Sequence, residues 1–377
     1  MKEKRFSCRT DARIYFSLLS LAQKPGPSLI YVLSKVEERM AFLKYLEGKF
    51  DCNFLMAAKS FPAAPVLRLA AKYLSGFDIS NQNEYQLISK YPGERVISIT
   101  SPNYNIEDFI LKRSAKSNEK IIFTCDQLEQ YRSLEKIDKP QSYLIRLNCD
   151  SFLPKRGPES RFGILTSNWK VLNSMFEESQ HELLGFHFHN SCQSNQCVDY
   201  IRLAKGAVSL SKKMKRTFDL LNLGGGFGNF SEAEMTRMIE GVRKIIPKKA
   251  KLFFEAGRYL SQNAGFAIGH IKSVFRSSHN ECIVLDLSGA CHLQWSQPRV
   301  MGAGKTKMRS NSKVIFYGPT CFEKDIIGRY HLDFLNNSIN LERSMGSPVL
   351  FSNVCGYSMA RNHSFNGIQK ARVHFIP

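Results

Sequence analysis

The chain is predicted to fold as an α/β protein, a (β/α)8 barrel followed by a second, β-rich domain. Two observations predict this. Between residues 53 and 255, eight short apolar runs alternate with longer amphipathic stretches. Beyond residue 265 the texture changes to short strand-like runs broken by Gly, Pro and Ser.

The eight runs fall at 53–58, 76–80, 95–100, 120–124, 143–148, 184–189, 218–223 and 251–255. They are mainly apolar at successive rather than alternate positions, which is the pattern of parallel strands buried on both faces. Helical periodicity occupies 63–73, 83–89, 105–113, 126–134, 167–178, 196–213 and 231–244. Asp126 and Ser231 precede such stretches as cap residues, and Ser231-Glu-Ala-Glu234 carries capping-box chemistry. Eight strands with helices between them fit a closed barrel better than an open doubly wound sheet. In the second domain, strand-like runs lie at 266–275, 281–287, 314–317 and 347–353. The early run 28–33 is expected to join them. The expected division is therefore an N-terminal segment 1–36, a barrel 37–265, and a C-terminal β-barrel or sandwich 266–377.

Composition excludes several classes. Hydrophobic residues make up 43% and charged residues 23% of the 377, as in folded globular proteins. No apolar run approaches the roughly 18 residues needed to span a membrane. The stretch 14–22 is too short and too rich in Ser for a signal peptide. Ten cysteines at irregular spacing form neither CxxC pairs nor a zinc pattern. No metal site is expected, and the thiols look reduced, which points to the cytoplasm. The net charge of +20 arises from scattered Lys and Arg with no nucleic-acid motif beside them. Neither nucleic acid nor membrane is an expected partner.

Barrel enzymes build their sites at the carboxyl ends of the strands. Lys59 ends the first run, Asp78 the second, His189 the sixth, Gly224, Gly225 and Gly226 the seventh, and Glu255 with Gly257 and Arg258 the eighth. Each alone is weak; a glycine-rich turn or a strand-end lysine is common, and His189 beside His187 is equally a packed histidine. Together they suit a phosphorylated pyridine cofactor. The lysine would form a Schiff base, the glycines would cradle the phosphate, and the glutamate would pair with the ring nitrogen.

The combination resembles the fold-type III pyridoxal-phosphate decarboxylases, a family with an alanine-racemase-like barrel that includes ornithine, diaminopimelate and carboxynorspermidine decarboxylases. The resemblance runs from about Ser28 to Asn366. It rests on Ala58-Lys59-Ser60-Phe61, Gly76-Phe77-Asp78-Ile79-Ser80, Phe186-His187-Phe188-His189-Asn190-Ser191-Cys192-Gln193, Gly318-Pro319-Thr320-Cys321, and Tyr357-Ser-Met with Phe365-Asn366-Gly367. Cys192, Ala290-Cys291-His292-Leu293 and Asp325-Ile-Ile-Gly328-Arg-Tyr330 are most similar to carboxynorspermidine decarboxylase.

The resemblance implies pyridoxal 5'-phosphate on Lys59, with His189 stacked on its ring, Glu255 at its nitrogen and Asp78 holding the surroundings of Lys59. Arg258 and Tyr357 would join the glycines at the phosphate. Cys321 would enter the partner's site in a homodimer and protonate Cα after CO2 leaves. The implied reaction is α-decarboxylation of an amino acid with a long or substituted side chain.

Substrate contacts are expected from Phe322, Glu323, Asp325 and Gln294. Ornithine-type enzymes have an aspartate where Phe322 stands, and carboxynorspermidine enzymes an acid near Gln294-Trp295. Carboxynorspermidine or carboxyspermidine, on a route to polyamines, is the leading substrate. A conjugated diamino acid of siderophore assembly is the rival, and a non-catalytic binding relative is the reading from another class.

Overall fold

A computed structural model describes residues 10–91, 93–103, 109, 118–154, 159–177, 179–190, 196–277, 280–301, 314–330 and 345–377. Apart from Phe109, the helical stretch expected over 105–113 lies outside the described residues, as do Ser191, Cys192 and Gln193. Strand β1 (Ser28–Val32) comes first in sequence. Then follow β2 (Cys52–Ala57), β3 (Gly76–Ile79), β4 (Arg95–Thr100), β5 (Glu119–Cys125), β6 (Ser142–Arg146), β7 (Glu182–His187), β8 (Leu220–Asn222) and β9 (Lys251–Ala256). These eight pair in parallel and close into a barrel, with β9 bonding back to β2.

The chain divides into two compact units. One comprises Glu37–Leu260; the other is built from the flanking residues on either side. Inside the barrel, Leu55, Ile122, Leu144, Leu184, Leu220 and Phe253 form one buried cluster with Val96 against it. A cluster with members on seven strands of a closed barrel can meet only in its interior, where such apolar layers pack.

Local chemistry shifts two expected boundaries. The carboxylate of Asp126 pairs with Arg146 at 2.9 Å and accepts the Gly163 N–H at 3.1 Å, so it does not cap. The helix Leu128–Leu134 starts after Gln127 instead. The sixth run ends as a strand at His187, leaving His189 two residues past the strand it was expected to close. Ser231 caps Glu232–Arg243 as expected, its Oγ accepting the Glu234 N–H while Glu234 reaches back to the Ser231 N–H.

The second unit holds a sheet ordered β12-β15-β10-β11-β13-β14, with β1 beside β10 and β16 beside β1. Its strands are β10 (Gly265–Ser277), β11 (Asn280–Leu285), β12 (Arg299–Val300), β13 (Val314–Tyr317), β14 (Ile326–Tyr330), β15 (Pro348–Ser352) and β16 (Arg372–Ile376). The 14–22 stretch belongs to a helix, Thr10–Ala22. Ile14, Leu18 and Ala22, spaced four apart on one helical face, pack against Ile30, Val32, Phe266 and Ile268. Among the described residues no helix is long and apolar enough to cross a membrane.

His292 makes this unit sensitive to acid. Its ring is buried, its Nδ1 accepts the Ser288 N–H at 3.0 Å, and burial pushes its pKa down from 6.5 to about 4. Between those values the unfolded chain binds a proton that the folded chain refuses, so stability rises with pH across the window and is lost as pH falls through it. The thermal midpoint is expected to drop between about pH 7 and pH 5, and His292→Gln to reduce that drop. Equal slopes in the two proteins would contradict this assignment.

Candidate active site

The barrel's carboxyl rim gathers the polar residues the sequence pointed to. Lys59 lies in a short 3-10 turn, Ala58–Ser60, directly after β2. Its Nζ stands 3.1 Å from Asp78 Oδ2 on β3. Asp78 is fully buried, and burial together with the negative charge of Glu255 pushes its pKa up to about 7. Asp78 Oδ1 has no hydrogen-bond partner among the described residues.

Glu255, on β9, is 1% exposed. Its Oε1 meets His187 Nε2 at 2.8 Å and accepts from Asn222 Nδ2 at 2.9 Å. Its Oε2 has a longer contact, 3.3 Å to His189 Nδ1. Burial works against the ionised form. The approach of His187 to Oε1, and more weakly that of His189 to Oε2, outweighs it and holds the Glu255 carboxyl well below the usual carboxylate range.

The 224–226 loop follows β8 on a backbone that needs glycine. Gly224 has φ 61° and Gly226 φ 96°, and a Cβ on Gly224 would stand 2.2 Å from the Phe188 carbonyl oxygen. Tyr200 donates its hydroxyl to the Gly225 carbonyl at 2.8 Å and fixes the loop from beneath. Arg258 opens the short helix Arg258–Ser261 just past Gly257, and its aliphatic stem lies over Gly228, whose added Cβ would meet it at 2.8 Å. The barrel unit thus brings together Lys59, Asp78, His189, the three glycines and Glu255, with Gly257 and Arg258 next in sequence. His187 and Asn222 were not among the expected site residues. The alternation of a strand, which points residues 187 and 189 to one side, was the available signal for the first.

The other unit carries Cys321, Phe322, Glu323, Asp325, Gln294 and Tyr357. Cys321 is exposed, and its N–H donates to Asn366 Oδ1 at 2.7 Å. Phe322 and Glu323 are exposed beside it. Gln294 Oε1 accepts from Arg361 Nε, and the Tyr357 ring meets Trp295 edge-on, centroids 5.1 Å apart.

Asp325 corrects an expectation. It is 2% exposed, and its carboxylate accepts from Ser288 Oγ (2.8 Å), Ala290 N (2.9 Å) and Thr320 Oγ1 (2.7 Å). A carboxylate so engaged braces the loop before Cys321 and leaves nothing to offer a substrate. Asp325→Ala leaves those donors buried and unpaired and should cost roughly 2–4 kcal/mol of stability by urea denaturation. An unchanged urea midpoint would remove Asp325 from the brace.

Residues 33–262 match the family described as "Pyridoxal-dependent decarboxylase, pyridoxal binding domain". A probable ornithine decarboxylase of Dictyostelium discoideum is 22% identical over 345 residues, covering 85% of this chain and 73% of that protein. The arginine decarboxylase of Paramecium bursaria Chlorella virus has a similar structure, with a TM-score of 0.77 at 16% identity, covering 97% of this chain and 100% of that one. Carboxynorspermidine decarboxylase from Campylobacter jejuni, solved with norspermidine, gives a TM-score of 0.69 at 19% identity, covering 94% of each chain. The structural likenesses speak to the fold alone. The family match, though, spans most of the chain and the whole rim that carries Lys59, Asp78 and Glu255, and on that ground the chain belongs to the pyridoxal-dependent decarboxylases.

Proposed function

We propose that this decarboxylase removes the α-carboxylate of an amino acid whose side chain is long or substituted and ends in a neutral or anionic group. The observation that carries the reading is that, among the described residues expected to meet the substrate, Glu323 alone offers a free acid beside Cys321. Phe322 follows it, Asp325 is buried and engaged, and Gln294 is turned to Arg361. The Arg361 guanidinium lies 4.4 Å from the centre of the Trp295 ring, so the residues beside Gln294 are cationic and aromatic rather than acidic. A buried ammonium without an anionic partner pays a large desolvation penalty. A conjugated diamino acid, of the kind used in siderophore assembly, meets this chemistry.

Pyridoxal phosphate fits the rim on three counts. Lys59 offers an amine beside a buried carboxylate, Glu255 keeps Oε2 less engaged than Oε1, and the turn leaves no room for a side chain at Gly224 or Gly225. When bound, the cofactor supplies an aldehyde for the substrate's amine and a ring that takes up the electron pair released with CO2. Asp78 holds Lys59 in place and, with its pKa near 7, can receive the proton that Lys59 sheds to act as an amine. Glu255, kept anionic, favours a proton on the ring nitrogen. The glycine backbone and Arg258 would hold the phosphate. His189 would pack on the ring, and Cys321, supplied from the second copy in a homodimer, would give a proton to Cα. The eight described cysteines are all unpaired, which supports work in the reducing cytoplasm.

A second reading retains carboxynorspermidine or carboxyspermidine as substrate. The exposed acid Glu323, two residues after Cys321, favours it. CO2 release from carboxynorspermidine, diaminopimelate, ornithine and a citryl-diaminopropionate conjugate separates the two. Turnover of the conjugate, with none of carboxynorspermidine, is the expected result; the reverse would overturn the preferred substrate.

A further inference from the structure

We propose that Asn222 and His187 are positioning residues that fix the carboxylate of Glu255 and tie it to the glycine loop. The proposal rests on the cofactor reading above, in which Glu255 meets the ring nitrogen and the loop meets the phosphate. It adds that one buried side chain sets the distance between those two contacts.

The geometry forms a closed circuit. Asn222 Nδ2 donates to Glu255 Oε1 at 2.9 Å, and Asn222 Oδ1 accepts the Gly224 N–H at 2.9 Å. The Gly224 carbonyl in turn accepts the Glu255 N–H at 2.9 Å. Side chain, loop and strand therefore close on one another through three hydrogen bonds. Asn222 is 0% exposed, so water offers no substitute for either of its contacts. A shift of the loop pulls on the amide, and the amide pulls on the carboxylate.

His187 supplies the second donor to Glu255 Oε1. It lies at the end of β7, opposite Asn222 in the β7–β8 register, and is itself 0% exposed. Its Nδ1 has no partner among the described residues. A protonated ring would bury an unsatisfied N–H there, so the geometry assigns a neutral ring with its one proton on Nε2, facing Glu255. The charged groups around it are Glu255 on β9, Arg146 at the end of β6 and His189 beyond β7. Glu255 favours a cationic ring, whereas Arg146 and His189 disfavour it, as burial does. With Oε1 engaged by two neutral donors, Oε2 is left to the side where His189 Nδ1 approaches at 3.3 Å.

The alternative is that both residues merely satisfy a buried carboxylate so that the barrel can fold. Nitrogen NMR of the His187 ring in the unmodified chain needs no variant. One protonated and one bare nitrogen, unchanged between about pH 6 and 8, is expected; two protonated nitrogens would overturn the assignment. Asn222→Asp keeps an acceptor for Gly224 but has no N–H for Glu255, and His187→Leu removes its donor.

Each of these two variants, checked for a native circular dichroism spectrum, should bind pyridoxal phosphate about 10- to 100-fold more weakly by equilibrium dialysis. His187→Gln, which keeps a donor, should restore affinity to within about threefold of the parent chain. Parental affinity in both Asn222→Asp and His187→Leu would overturn the proposal, as would failure of His187→Gln to rescue in a folded protein. If the parent chain takes up no pyridoxal phosphate, the cofactor reading itself falls; if the parent binds and the variants bind equally, only the positioning role falls.

Discussion

Lys59→Ala should abolish the long-wavelength absorbance that the chain acquires with pyridoxal phosphate and lower decarboxylation by about 10⁴-fold. Lys59 is an amine on the rim able to form a Schiff base with an aldehyde, and its 3.1 Å contact with Asp78 fixes where it acts. Removing it also leaves Asp78 buried beside the Glu255 charge with its cation gone. Asp78 then holds a proton more strongly, so the variant should remain folded while losing its chemistry. Added methylamine should restore part of the rate, since a small free amine can enter the space left by the side chain. A variant that keeps the absorbance band would place the cofactor on another residue.

Glu255→Gln should lower kcat by roughly 10²–10³-fold while the protein still takes up cofactor. Glutamine keeps an oxygen for His187 and Asn222, so the buried network stays satisfied. At the ring-facing position it presents a neutral N–H donor, which opposes a proton on the ring nitrogen. The parent carboxylate, ionised in the fold despite burial, contributes stability above its unfolded pKa of about 4.5 that is lost as pH falls below it. The variant lacks that contribution, so its acid unfolding should begin less steeply. A kcat within twofold of the parent would rule out Glu255 as the group that sets the ring's protonation.

The barrel was legible because strands buried on both faces leave a signal in consecutive positions. Phe54, Leu55, Met56 and Ala57 on β2 are all buried, and so are Phe253, Glu255 and Ala256 on β9. Strand ends then located Lys59, Asp78 and Glu255 without reference to any contact. The roles of His187 and Asn222 depended on a contact instead. Their partner Glu255 lies 68 and 33 residues downstream, and sequence spacing does not report which strand closes the barrel beside which.

The second unit was legible in part. The stretch 281–287 carries consecutive apolar residues, and β11 lies within it apart from its first residue. β14 and β16, both only half-buried, lack such a run and escaped notice. Asp325 misled for a related reason. Four residues after Cys321 it stands in sequence where a substrate contact would, but the Ser288 turn, 37 residues upstream, folds over its carboxylate.

Reducing the pyridoxal-phosphate-loaded chain with borohydride and mapping the product by peptide mass spectrometry tests the central claim most directly. The pyridoxyl mass is expected on the peptide that contains Lys59 and on no other. Its appearance on a different lysine, or on none, would contradict the assignment of this rim as the cofactor site.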